Sequence, residues 1–145
     1  MIQQLSVFLE NNPGALRAMT ETLGKGGIDL LALSLADTQS FGIVRMIISS
    51  RQMETALRLL KENGYIAKMN HVICVSVADR PLGLSRLLGN IEEAGLSVEY
   101  MYSFLRAHTP GRAMMILRMN DGSQAEAVFT DKGIQMLTQD EVNVL

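Results

Sequence analysis

The sequence predicts an α+β fold: two ferredoxin-like βαββαβ units with antiparallel sheets, packed side by side. Two observations support this prediction. The apolar pattern alternates between the period of a strand and the period of a helix, and the pattern of the first half returns in the second half. With 145 residues, of which 48% are apolar and 19% charged, the chain can bury a core, which excludes a disordered protein.

The internal repeat is visible at the end of the first predicted strand. Asn11-Asn12-Pro13 returns as Asp79-Arg80-Pro81, sixty-eight residues further along the chain. The strand before it matches at the same offset, since Leu5, Val7 and Leu9 align with Ile73, Val75 and Val77. We therefore predict two domains, residues 1–70 and 71–145. No segment rich in Pro, Gly or Ser separates them, which favours two packed halves.

The first repeat contains six predicted elements in the order βαββαβ. Leu5, Val7 and Leu9 alternate with polar residues, and this spacing indicates a strand with one buried face. The helix that follows carries Leu16, Met19 and Leu23 on one side, with Pro13 in its first turn. The remaining predictions are a strand over 28–36 covered on both faces, a hairpin partner around 44–48, a helix over 53–60 and a strand over 65–69.

The second repeat follows the same order. Its predicted strands cover residues 72–78, 96–105, 112–119 and 134–138, and its predicted helices cover residues 83–94 and 122–132. A βαββαβ unit forms a four-stranded antiparallel sheet with two helices on one face.

Charge and composition exclude several functional classes. The net charge is −2 and the isoelectric point is near 5.7, without a basic run, so neither nucleic acid nor a membrane surface is an expected partner. One cysteine and two histidines cannot form a disulfide or a Cys/His metal site, and we expect no metal and no cofactor. No targeting or membrane-spanning pattern is present, which predicts a cytoplasmic protein.

The first strand-to-helix turn carries the pattern that points to ligand binding, Asn11-Asn12-Pro13-Gly14-Ala15-Leu16. The first amides of a helix have no partner within the helix, and together with the helix dipole they attract a small anion. Gly14 removes the side chain that would keep a ligand away. The alternative is that Asn11 or Asn12 only caps the helix while Pro13 and Gly14 shape the turn.

Together with Gly27-Ile28-Asp29-Leu30 and the repeated βαββαβ order, this turn resembles the signature of a tandem of ACT domains. The resemblance covers nearly the whole chain. It implies a small regulatory module that binds an amino acid. The second repeat departs from the signature, because Leu82 stands where glycine is expected and Gly95-Leu96-Ser97-Val98 has serine in place of Asp or Asn.

The resemblance also implies where the ligand lies, namely between the two modules. One site would combine Asn11 and the amides of Gly14, Ala15 and Leu16 with Ser97 of the other repeat. The other site would combine Asp79 with Asp29. An apolar wall around Met19, Leu30 or Val98 would select the ligand. The complete set of predicted ligand-binding residues is Asn11, Asn12, Pro13, Gly14, Ala15, Leu16, Asp29, Leu30, Asp79, Ser97 and Val98.

One predicted sheet face carries residues that suggest contact with a second subunit, and we expect a homodimer. These residues are Ile2, Phe8, Ile43 and Cys74. Cys74 is interpreted as a small strand residue, since no motif places a base beside it.

The sequence therefore predicts a regulatory protein without catalytic activity, which binds an amino acid as a small-molecule ligand. Two alternatives remain open at this stage. One is a small enzyme on a ferredoxin-like scaffold, and the other is a structural dimer with a vestigial pocket.

Overall fold

The computed structural model describes residues 1–37, 40–106 and 109–145. The chain divides into two compact units. The first unit comprises Gln3–Asn70 with Val144, and the second comprises Met1–Ile2, His71–Asn143 and Leu145. The assignment of residues 1–70 and 71–145 to two ACT-like domains stays a prediction.

The first unit is an antiparallel sheet with two helices. Its elements are β1 (Ile2–Glu10), α1 (Ala15–Lys25), β2 (Ala32–Asp37), β3 (Phe41–Ile47), α2 (Met53–Glu62) and the beginning of β4 (Ile66–Ala78). Both β1 and β2 pair with β3. Asn70 Oδ1 accepts hydrogen bonds from Gln4 Nε2 at 3.2 Å and from Ser6 Oγ at 2.9 Å, which places the beginning of β4 beside β1.

The core of this unit joins one face of the sheet to both helices. The predicted alternation of β1 is confirmed, since Leu5, Val7 and Leu9 are buried. They form one cluster with Met19 of α1 and Leu60 of α2. Burial of this apolar stripe is the dominant force that holds the two helices on the sheet.

The second predicted strand differs from the structure in its beginning and in its burial. It begins at Ala32 rather than at residue 28, because Ile28 still donates its amide to Leu23 O and so belongs to the end of α1. It is not covered on both faces within the unit, and Leu35 is 50% exposed. β2 lies at the edge of the strand order beside β3, and both helices of the unit pack on one face of the sheet.

The second unit begins with the same order of strand, helix, two strands and helix, and it ends in a further helix. Its elements are the end of β4 (Ile66–Ala78), α3 (Gly83–Glu93), β5 (Val98–Ser103), β6 (Arg112–Met119), α4 (Gly122–Asp131) and α5 (Gln139–Asn143). The strand order is β4-β6-β5. The core contains Leu87 and Ile91 of α3, together with Phe129 of α4. Leu84 of the same helix is 40% exposed.

Two further predictions of strands need correction. The strands predicted at 65–69 and 72–78 are one strand, β4, because the residues between them include neither Gly nor Pro to turn the chain. Residues 134–138 do not form a strand and are held beside β4 by Ser76 N to Gln135 O and Leu137 N to Cys74 O, both at 2.9 Å.

Helix α5 was not predicted, although the sequence carries a signal for it. The amide of Thr138 donates to Glu141 Oε2 at 2.7 Å, and the amide of Glu141 donates to Thr138 Oγ1 at 3.3 Å. This reciprocal pair is a capping box, which starts a helix by satisfying free amides at its end. The amide and the hydroxyl of Thr138 both donate to Glu141 Oε2, and these two hydrogen bonds lower the pKa of the Glu141 carboxyl.

Candidate functional site: the turn before α1

The turn between β1 and α1 has an open backbone. Gly14 occupies the N-cap position in the left-handed region with φ 81°, and no side chain caps the helix. The sequence predicted Pro13 in the first turn of the helix. This prediction is wrong, because Pro13 precedes the N-cap residue Gly14. A Cβ atom built on Gly14 would meet nothing within 4 Å, so the space over this residue is free.

The amides of this turn are only partly used by the protein. Ala15 donates its amide to Asn12 O at 3.1 Å, and Asn11 donates its amide to Ser40 O at 3.3 Å. In the part of the chain that the structure describes, the amides of Gly14 and Leu16 make no hydrogen bond. Two of the three amides that were predicted to hold a ligand are thus available to an acceptor from outside, and the third closes the turn.

A cavity of about 330 Å³ lies beside this turn, and we call it the aromatic cavity. It is lined by Phe8, Leu9, Glu10, Asn12, Ala15, Phe41, Gly64, Tyr65 and Ile66. Its rim is apolar and accessible, because Phe8 is 39% exposed and Phe41 is 55% exposed. The one carboxylate of the lining, Glu10, accepts a hydrogen bond at 3.0 Å from Asn12 Nδ2.

The turn between β4 and α3 repeats this backbone with a different side chain. Leu82 is the N-cap of α3 with φ 70° and ψ −5°, close to the 81° and −5° of Gly14. Leucine rarely adopts this conformation, since its Cβ approaches the backbone. The Leu82 side chain is 65% exposed. Asp79 lies before the turn, donates its amide to Gly111 O at 2.9 Å and does not cap the helix.

The other predicted ligand-binding residues occupy two kinds of environment. Asp29 and Ser97 are exposed, and the amide of Ser97 donates to Asn120 Oδ1 at 3.0 Å. Leu30 is partly buried against the core of the first unit, to which Leu16 also belongs. Val98 is partly buried against the core of the second unit.

Three sequence-based interpretations of apolar residues are corrected by the burial. Met19 is fully buried in the core of the first unit and cannot form the wall of a ligand site. Ile2 and Cys74 are also buried, at 0% and 1% exposure, and are not available to a second subunit. The wall beside the turn is formed instead by Phe8, Phe41, Tyr65 and Ile66. A signal for this wall was present in the repeat. Phe8 aligns with the polar Ser76, so the two repeats differ in side-chain chemistry at this position.

Cys74 has the environment of a structural thiol. Burial raises its pKa from the ordinary value of 9.0 to about 12, and the nearby Glu141 carboxylate contributes in the same direction. A thiol that stays protonated at neutral pH is a poor nucleophile. This agrees with the interpretation of Cys74 as a small strand residue.

The described residues contain neither a cluster suited to a metal ion nor a helix suited to span a membrane. No group of three or more His, Cys, Asp or Glu side chains is placed to hold a metal ion. None of the helices described is both long and apolar enough to cross a bilayer.

Sequence and structural comparisons identify the class of protein. The family model of the ACT domain pair matches residues 1–145, and the chain therefore belongs to this family. The family match confirms the resemblance on which the sequence analysis depended, and it supports a regulatory, ligand-binding role. No curated protein matches the sequence.

Solved structures show the same fold. The protein BT0572 from Bacteroides thetaiotaomicron is 32% identical, with a TM-score of 0.88, and the match covers 99% of this chain and 96% of that one. The ligand-free regulatory subunit of aspartate kinase from Thermus thermophilus is 18% identical, with a TM-score of 0.66 and 90% of each chain covered. The corresponding subunit from Thermus flavus is 14% identical, with a TM-score of 0.62, covering 89% of this chain and 90% of that chain.

Proposed function

We propose that this protein is a non-catalytic regulator that binds an amino acid at the turn before α1. The observation that carries the proposal is the pair of free amides, Gly14 and Leu16, at the N-terminus of an eleven-residue helix without a side-chain cap. A carboxylate accepting from these amides would be further stabilised by the positive end of the helix dipole. Membership of the ACT domain pair family supports an amino acid as the ligand.

The aromatic cavity supplies the remaining chemistry that an amino acid requires. Glu10 is a candidate partner for the ammonium group, because a carboxylate and an ammonium form a charge-assisted hydrogen bond. Phe8, Phe41 and Tyr65 line the same cavity, and an apolar or aromatic ligand side chain would bury its surface against them. We therefore propose an amino acid with an apolar side chain.

Some parts of the proposal depend on the family resemblance alone. These are the position of the ligand between the two modules, with Ser97 opposite Asn11 and Asp29 opposite Asp79, and the change of a regulatory surface on binding. The homodimer and the cytoplasmic location also stay predictions from the sequence.

Isothermal titration calorimetry of the full chain against each of the twenty amino acids tests this function. We expect binding of an apolar amino acid, and we expect Asn11→Ala to weaken it by about tenfold, the effect of losing one hydrogen bond of about 1.4 kcal/mol. Gly14→Leu should abolish binding, because it places at the first turn the side chain that the second turn already carries.

Lys25→Ala is the matched control, because Lys25 is exposed at the opposite end of the same helix. It should leave binding unchanged. The proposal is wrong if none of the twenty amino acids binds, or if Gly14→Leu binds as well as the natural chain while its circular dichroism spectrum stays native.

A further inference from the structure

The second unit contains a cavity at the position that corresponds to the aromatic cavity, and we call it the arginine cavity. Its volume is about 540 Å³. It is lined by Ser76, Val77, Ala78, Gly83, Arg86, Leu87, Asn90, Arg112, Gly133, Ile134 and Gln135. The equivalence follows from the sheet register, because Glu10 pairs with Phe41 in the first unit as Ala78 pairs with Arg112 in the second.

The two cavities have opposite chemistry at equivalent positions. Phe8 and Ile66 of the first unit correspond to Ser76 and Gln135 of the second. The aromatic ring of Phe41 is replaced by the guanidinium of Arg112, and the carboxylate of Glu10 is replaced by the methyl group of Ala78. In addition, Arg86 lines the second cavity where the first unit has Ala18 on the same helical face.

The arginine cavity is a built site rather than a chance approach of surface charges. Arg112 Nε donates to Ser76 Oγ at 3.0 Å, and its Nη2 donates to Ser76 O. These two bonds fix the plane of the guanidinium, and Nη1 remains as a donor. Ser76 is only 8% exposed, so the anchor of Arg112 is itself buried.

Arg86 and Asn90 provide further hydrogen-bond donors in the lining. Among the described residues, the Arg86 guanidinium makes no hydrogen bond or ion pair. Asn90 Oδ1 accepts from Lys132 Nζ at 3.4 Å, which leaves the amide nitrogen of Asn90 as the donor. No carboxylate is present among the described residues of the lining. The lining thus carries two positive charges without an acidic partner of its own, and it would attract an anionic ligand.

We propose that the arginine cavity binds a small organic anion through a phosphate or carboxylate group, held by Arg86 and Arg112 with Asn90 as a further donor. Guanidinium groups match both anions, because each presents parallel N–H donors to two oxygens. The protein thus has a second ligand, chemically distinct from the amino acid proposed at the first turn.

Calorimetric titration of the full chain, in a buffer free of phosphate, with inorganic phosphate and separately with succinate tests this site. We expect at least one of the two probes to bind. We expect Arg86→Gln, an exposed position where the fold should tolerate the change, to weaken that binding by about tenfold or more. The probe that binds more tightly identifies the natural ligand as a phosphate ester or a carboxylate.

Arg80→Gln is the matched control, since it removes the same charge from the same unit at a residue outside the lining. It should change the affinity less than twofold. The proposal is overturned if neither probe binds at millimolar concentration, or if Arg80→Gln weakens binding as much as Arg86→Gln. Amino-acid binding at the first turn should be unaffected by Arg86→Gln and lost in Gly14→Leu, so failure of either proposal is recognised independently.

Discussion

The turns before α1 and α3 have nearly the same backbone conformation, but their backbone amides differ in accessibility. Gly14 and Leu82 both adopt the left-handed conformation, with φ 81° and 70°. The first turn presents its amides beneath open space, whereas the second turn carries a leucine side chain at the same point. The backbone conformation of the repeat is thus retained, while the side chain that stands over its amides differs.

The neighbouring residue explains how the second turn keeps its shape without glycine at the cap. A Cβ atom on Gly83 would lie 2.0 Å from Ala78 O, so this position accepts only glycine. The first unit has Ala15 there. In the second repeat, glycine is thus absent from the position with positive φ, which is Leu82, and present at the next position, Gly83, where the backbone packs closely. We infer that tight packing at Gly83 compensates for the strained leucine beside it.

Thiol labelling should show the largest effect, and it reports on the second unit, which has Cys74 where the first unit has Ser6. Ser6 is also buried but hydrogen-bonds to Asn70, whereas burial raises the pKa of Cys74 to about 12. At pH 8 we expect the folded chain to react with a thiol reagent about a thousandfold more slowly than the chain unfolded in urea. Equal rates would contradict the buried environment.

The same shift predicts a dependence of stability on pH. Because the folded pKa is raised, the thiol stabilises the fold fully below pH 9.0 and progressively less as the pH rises towards 12. Urea unfolding of Cys74→Ala should lack this part of the alkaline loss, and an unchanged profile would refute the assignment.

Gly83→Ala should have the next largest effect, because the new methyl group meets the Ala78 carbonyl and the backbone must shift. We expect a loss of about 1–3 kcal/mol in the free energy of unfolding, measured by urea denaturation. Gly89→Ala in the same helix is the control, since nothing lies within 4 Å of its added Cβ. It should raise stability by about 0.5–1 kcal/mol. A neutral Gly83→Ala would show that the close approach does not constrain this turn.

Leu82→Gly should have the smallest effect and the opposite sign. The substitution removes the backbone strain of a leucine in the left-handed conformation, whose side chain is 65% exposed. It also raises the conformational entropy of the unfolded chain, which lowers stability. We expect a net gain of about 0.5 kcal/mol, against a loss of about 1–2 kcal/mol for Gly14→Leu. If Leu82→Gly destabilises the protein instead, the leucine contributes packing that its exposure does not reveal.

Local patterns in the sequence were sufficient for most of the fold. The alternation of Leu5, Val7 and Leu9 identified β1, and the helix predicted over 53–60 is confirmed as α2. The strand predicted over residues 28–36 was only partly right, because an apolar run has the same pattern in a strand, at the end of a helix and at the edge of a sheet. The sequence does contain the capping box of α5, Thr138 and Glu141, and this local pattern is sufficient to predict where the helix begins.

The order and spacing of neighbouring residues were enough to predict the repeat, the class of fold and the position of the turn before α1, because each of these is a local property of the chain. Only the tertiary structure decided which amides of that turn stay free and that Met19 is core. It also brought Arg86 and Arg112 to one cavity. These facts depend on residues that are distant in the chain and meet only when the sheet and its helices pack, so no local pattern encodes them.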